Sequence, residues 1–205
     1  MRVMLRLATS LLLAALALPA AAQTVEEIGP WRLVCAVDRM TDRADCRLRH
    51  RDPLEPGAAG RPGLVLELLD RGGRVVPAVT ARDLSLEDAS RGLLAFTGTA
   101  QLRFPPNRLF EMPCGFEGRS LICAPRAEDA ARAGEELPRA ATVLLRMQVT
   151  GAQGGGEPAE LRLAETAEAI RRLRARMPEG SAQQPPAGFD ARDLMQRFQR
   201  LFGTQ

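Results

Sequence analysis

Four cysteines and one histidine are the side chains with the widest chemical range in this 205-residue sequence. Cys35 and Cys46 form one neighbouring couple, Cys114 and Cys123 the other. Neither couple has the C-x-x-C spacing that lowers a thiol pKa for disulfide exchange. A structural zinc site needs closely spaced ligand pairs, and these are absent too. The cysteines therefore read as structural staples. Four cysteines allow three pairings, and spacing alone does not select one. Pairing within each couple is preferred, because each couple flanks a plausible turn. The lone His50 is the residue on which a Ser-His-Asp hydrolase would depend, but no G-x-S-x-G accompanies it. It reads as a polar residue at a strand end. Glu26-Glu27 and Glu135-Glu136 read as solvated surface, since a glycosidase requires two carboxylates across a cleft. Gly154-Gly155-Gly156 lacks the Lys and Ser/Thr of a phosphate loop. No catalytic set, metal or cofactor is expected.

The elements that position these residues follow from periodicity. Trp31 to Val37 alternates so that Trp31, Leu33 and Cys35 share a face, the pattern of a half-buried strand. After a polar turn, Asp45 to His50 returns with Cys46 and Leu48 on one face and Arg47 and Arg49 on the other. Further strands are predicted at Leu64–Leu69, Arg74–Val79, Leu93–Thr97, Gln101–Phe104, Leu109–Met112, Ser120–Ala124 and Ala141–Val149. Pro77 predicts an edge or a bulge in its strand. Asp83–Ser90 allows a short helical turn, and Ala127–Ala133 a short helix ending near Gly134. Leu161–Leu163 is a last short strand or a helix entry.

From Ala164 to Met177 the period becomes helical, with Leu163, Ala167, Ile170, Leu173 and Met177 in one stripe. Arg171, Arg172, Arg174 and Arg176 hold the other face, with Glu168 placed to support Arg172. That arginine face reads as solvated; an anionic lipid or acidic partner is the minor alternative. Residues 178–189 form a Pro/Gly/Ala/Gln linker. Residues 190–205 carry a short amphipathic helix with Leu194, Met195, Phe198, Leu201 and Phe202 on its apolar side. Such a short helix needs a surface to cover it. These five residues are the candidate partner-binding set.

Composition bounds the class. Hydrophobic content of 45% and charged content of 26% suit a globular chain, while aromatics reach only 4%. Residues 1–22 read as a secretory signal: Arg2 and Arg6, an apolar run from Leu11 to Leu18, and the small-residue exit Ala20-Ala21-Ala22. Of the 28 basic residues, all arginine, two lie in that leader, so the remainder exceeds the 25 acids by one. That near-neutral balance argues against a nucleic-acid partner. No later run is long enough to span a membrane. Export to an oxidising compartment agrees with structural disulfides.

In order, these landmarks resemble the invasion-associated locus B family of exported bacterial proteins. The resemblance rests on a leader, W-x-x-x-C at Trp31 and Cys35, a second Cys after a turn at Cys46, and the late pair Cys114 and Cys123. A helical turn rich in Ala and acids, a β-run, and Leu161-x-Leu163 entering a helix complete it. It spans residues 28–175. It implies a periplasmic, mainly β protein without enzymatic activity, linked in some pathogens to host-cell invasion. The expectation is thus a mainly antiparallel, β-sandwich-like domain at 23–177, with a packed C-terminal helix and a flexible tail. Its expected function is that of a non-enzymatic periplasmic interaction protein with an envelope protein partner. The alternatives are an envelope hydrolase with a site not visible in the sequence, or a carrier of an apolar ligand.

Overall fold

The computed structural model describes residues 24–40, 42–57, 63–84, 98–148 and 156–177, with backbone alone at 38 and 43. The expected elements at Leu93–Thr97 and Asp190–Phe202 lie outside these residues, as does most of Asp83–Ser90. Among these residues ten strands form one antiparallel sheet: β1 Thr24–Ile28, β2 Trp31–Asp38, β3 Arg43–His50, β4 Val65–Asp70, β5 Val75–Ala81, β6 Thr99–Arg103, β7 Phe110–Glu117, β8 Ser120–Cys123, β9 Thr142–Gln148 and β10 Ala159–Arg162. Their spatial order is β1-β2-β3-β4-β5-β8-β7-β6-β9-β10. Among the described residues two helices accompany the sheet, α1 Ala127–Glu136, continued by a 3-10 turn at Leu137–Arg139, and α2 Thr166–Arg176.

The sheet curls on itself, so that its two ends share one core. Trp31, Leu33, Leu48 and Leu66 from the first half cluster with Leu102, Phe110, Val143 and Leu145 from the second. The mainly β, sandwich-like expectation holds in this form, as one continuous sheet with facing halves. The alternation read from β2 and β3 is also present: Trp31, Leu33, Cys35, Cys46, Leu48 and His50 are buried, while Arg47 and Arg49 are exposed.

Strand β1 has no counterpart among the sequence expectations. It joins β2 through a two-residue turn at Gly29-Pro30, with Gly29 at φ 56°. Positive φ at the first turn position suits the right-handed twist of a tight hairpin and selects glycine there. Pro77, expected on an edge or bulge, lies in β5, between β4 and β8. It pairs with Leu68, but β8 begins pairing only at Val79. Backbone groups alternate sides along a strand, which points the Pro77 nitrogen toward β8 beyond its last partner. The strand is interior, yet the proline occupies its one locally unpaired flank.

Helix α1 runs past Gly134, where the sequence reading ends it. A Cβ at Gly134 would stand 3.1 Å from Arg74 Cγ and 3.2 Å from the Val75 carbonyl. The glycine allows close approach of helix to sheet rather than a stop. In α2 the buried face is Thr166, Ala169, Ile170 and Leu173, so Thr166 replaces Ala167 in the predicted stripe. The cause is polar. The indole N–H of Trp31 donates to Thr166 Oγ1 at 3.2 Å inside the core, and burying that donor requires an acceptor.

Candidate functional site

Both local disulfides are formed, Cys35–Cys46 and Cys114–Cys123, with Cα separations of 4.1 and 3.9 Å. Each joins directly opposed residues of one hairpin. By alternation from the flanking hydrogen bonds, both are non-hydrogen-bonded pairs, the register in which opposed Cα atoms come closest. No described cysteine is free. The four sulfurs thus act as staples and leave no thiol for exchange chemistry. Trp31 shares the face of the first bridge, and the Leu33–Leu48 pair stands between them.

His50 ends β3, as read, but it is buried. Its ring meets Trp31 edge-on, with centroids 5.4 Å apart. The Asp52 backbone N–H donates to Nδ1 at 3.1 Å, and Nε2 lies 3.1 Å from the Arg162 carbonyl. With its proton on Nε2 the ring donates to the Arg162 carbonyl and accepts from the Asp52 N–H; with its proton on Nδ1 it donates instead to the Asp52 carbonyl, also 3.1 Å away. This histidine ties the end of β3 to β10; no serine or carboxylate side chain is among its recorded partners.

The acid pairs are engaged in ion pairs more than the sequence suggested. Glu26 binds Arg172 at 2.8 Å and Arg176 at 3.4 Å, joining β1 to α2. Glu27 binds Arg32 at 2.7 Å. Glu136 binds Arg132, whose guanidinium lies 3.6 Å from the Phe110 ring centroid. Glu135 is exposed. On the outer sheet face, Glu27, Arg32, Arg49 and Glu67 stand in register across four strands. Glu67 is buried and accepts from Thr80 Oγ1 at 2.7 Å and from Arg82 Nε and Nη2 at 3.0 and 2.7 Å. Burial opposes the charge on Arg82, but the Glu67 hydrogen bond and nearby carboxylates outweigh it and raise its pKa. This network is structural, and the sequence offered no sign of it beyond a lone Glu within an apolar strand.

A cleft of about 250 Å³ lies over Leu54, Val79, Leu145 and Met147. Glu55, Arg146 and Glu157 edge it, and none of its lining residues is Ser, Cys or His. Arg146 is bound to Gln101. The volume falls below the roughly 300–1,000 Å³ of ordinary small-molecule sites. Among the described residues no group of His, Cys, Asp and Glu is placed to hold a metal ion. No described helix is long and apolar enough to cross a membrane.

The feature that stands out from the sheet is the far half of the β2–β3 hairpin. Pairing of β1 with β2 stops at Cys35, and pairing of β4 with β3 starts at Leu48. Among the described residues no third strand pairs with Ala36–Asp45, which form an arm stapled at its base by Cys35–Cys46. Val37 is 51% exposed and Met40 91% exposed on this arm. The candidate partner-binding residues Leu194, Met195, Phe198, Leu201 and Phe202 lie outside the described residues. Comparison with family models, curated proteins and solved structures gives no match.

Proposed function

We propose that this chain is an exported, non-enzymatic interaction protein of the bacterial periplasm, of the kind that the resemblance to the invasion-associated locus B family implies. The observation that carries the reading is the stapled arm. A two-stranded ribbon is marginal in water on its own, and a covalent bridge at its base stiffens the arm. Exposed Val37 and Met40 then give a partner apolar surface at little conformational cost. In the sequence, Leu194, Met195, Phe198, Leu201 and Phe202 have the spacing of a helix-in-groove ligand. Strand β1 begins at Thr24, so cleavage after Ala22 leaves the whole sheet in the exported chain.

Two measurements test the reading. The intact mass of protein recovered from the periplasm is expected to start at Gln23; a product keeping residues 1–22 argues against export as a cleaved protein. Co-purification from the same fraction is expected to yield an envelope protein that Val37→Asp with Met40→Asp no longer retains. Equal recovery by wild type and variant removes the arm from the function.

A further inference from the structure

The stapled arm and the cleft stand at the two ends of β3. The strand leaves the arm at the Cys35–Cys46 bridge and ends at His50. Strand β4 pairs Leu68 with Leu48, so its register brings Leu66 level with His50, and Leu66 pairs in turn with Val79 of the cleft. Leu54 joins the cleft at this same end, where its backbone N–H donates to the Leu64 carbonyl at 2.8 Å. From Ala44 to His50 the strand runs about 20 Å. A short ribbon stapled at its base does not turn back over that length, so an arm is out of reach of its own cleft. The two features match in polarity. The arm presents Val37 and Met40 with Arg39 and Asp42 exposed beside them. The cleft presents an apolar floor edged by exposed Glu55 and Glu157 and by half-buried Arg146. No ion pair among the described residues holds Arg39, Asp42, Glu55 or Glu157.

We propose that the arm of one molecule seats in the cleft of a second copy of this chain, so that copies join head to tail. The inference rests on the reading of the arm as an interaction element and names one partner for it. A cleft of about 250 Å³ is smaller than an ordinary small-molecule site and suits a side chain or two. Met40 fits such a space, because an unbranched, polarizable side chain fills irregular apolar gaps. Val37, held close to the bridge, adds apolar area at little conformational cost. At the rim Arg39 meets Glu55 and Glu157, while Asp42 meets Arg146, whose guanidinium is otherwise bound to neutral Gln101. Opposite charges on both sides of the contact fix the orientation in which the arm enters. The contact joins two different patches at opposite ends of the molecule, so every added copy leaves one arm and one cleft unfilled. Contacts of that heterologous kind grow into open chains or close into rings.

Sedimentation equilibrium of the full exported chain, with both disulfides formed, tests this. The average mass is expected to rise with protein concentration and to pass that of a dimer. Two double variants each remove one half of the contact: Val37→Asp with Met40→Asp at the arm, and Glu55→Arg with Glu157→Arg at the cleft. Each is expected to weaken self-association about tenfold or more. All four substituted residues are exposed, and non-reducing peptide mapping checks that both bridges survive. The decisive sample is an equal mixture of the two variants. One keeps a working cleft and the other a working arm, so the mixture is expected to form a dimer with one copy of each and nothing larger. A wild type that stays monomeric up to high micromolar concentration overturns the proposal, as does a mass that levels off at two copies. So does association that survives either pair of substitutions, or a mixture that stays monomeric. The envelope-partner test is separate: a monomeric chain whose arm still captures an envelope protein keeps the interaction reading and defeats this inference, and self-association without capture does the reverse.

Discussion

Gly29 shows how one residue fixes the joint between the first hairpin and the helix that closes it. It sits at φ +56°, and a Cβ there would stand 3.2 Å from Glu165 Oε1 and 3.3 Å from the Ala164 carbonyl. Gly29→Ala combines left-handed strain with that contact and is expected to destabilise by about 2–3 kcal/mol in urea unfolding. Gly72→Ala, at φ +67° with open space around it, carries only the strain, about 1 kcal/mol. Equal losses would show that the Glu165 contact contributes nothing. Arg82 illustrates the same dependence on surroundings for charge. Its side chain is 25% exposed and its partner Glu67 only 3% exposed. Removing Arg82 leaves a buried carboxylate with the Thr80 hydroxyl alone. Arg82→Ala is expected to cost about 2–4 kcal/mol, somewhat under the fully buried case because Arg82 reaches solvent. Arg32→Ala, which breaks an exposed pair with Glu27, is expected to cost under about 1 kcal/mol. Chemical denaturation of the two variants side by side checks the contrast.

At the scale of elements, α2 is held by one buried hydrogen bond at its start and by a charge network along its exposed side. Glu168 accepts hydrogen bonds from Arg171 and Arg172, and these hold its pKa below the ordinary glutamate value. A lowered native pKa means that this contribution is fully present above the unfolded value, about 4.3. It is then lost as pH falls through the lower native value. Thermal unfolding of the wild type between pH 7 and pH 2.5 is therefore expected to show an acid limb that Glu168→Gln makes shallower. Parallel profiles would place the acid sensitivity in other carboxylates. The arm depends on its staple in a different way. Cys35→Ala with Cys46→Ala removes closure of a short loop, sequence separation 11, and is expected to cost about 2.5–3 kcal/mol. Hydrogen exchange should show residues 36–45 opening before the rest of the sheet, because no third strand among the described residues pairs with them.

Over the whole molecule, a ten-stranded sheet closes on a core drawn from both of its halves, and the ties across the closure are polar. His50 reaches the Arg162 carbonyl, Trp31 reaches Thr166, and Glu26 reaches Arg172 and Arg176. The sequence by itself determined what depends on neighbours. Two-residue alternation in Trp31–His50 put the tryptophan, both cysteines and Leu48 on one face. Short turns favoured pairing within each cysteine couple without fixing it, and the 3.6-residue period located α2. Strand β1 escaped detection because Thr24–Ile28 adjoins the leader, carries two acids and alternates weakly. What only the tertiary structure decided depends on pairing between distant residues. The order β5-β8-β7-β6 places Pro77 past the end of β8. The approach of α1 to Arg74 makes Gly134 a contact point and not a helix end. A Trp31 donor 135 residues away selects Thr166 over Ala167 for burial. Local patterns specify which face of an element is apolar. Which partner covers that face is settled by closure of the sheet, where one unsatisfied donor or one missing Cβ outweighs the propensities of single residues.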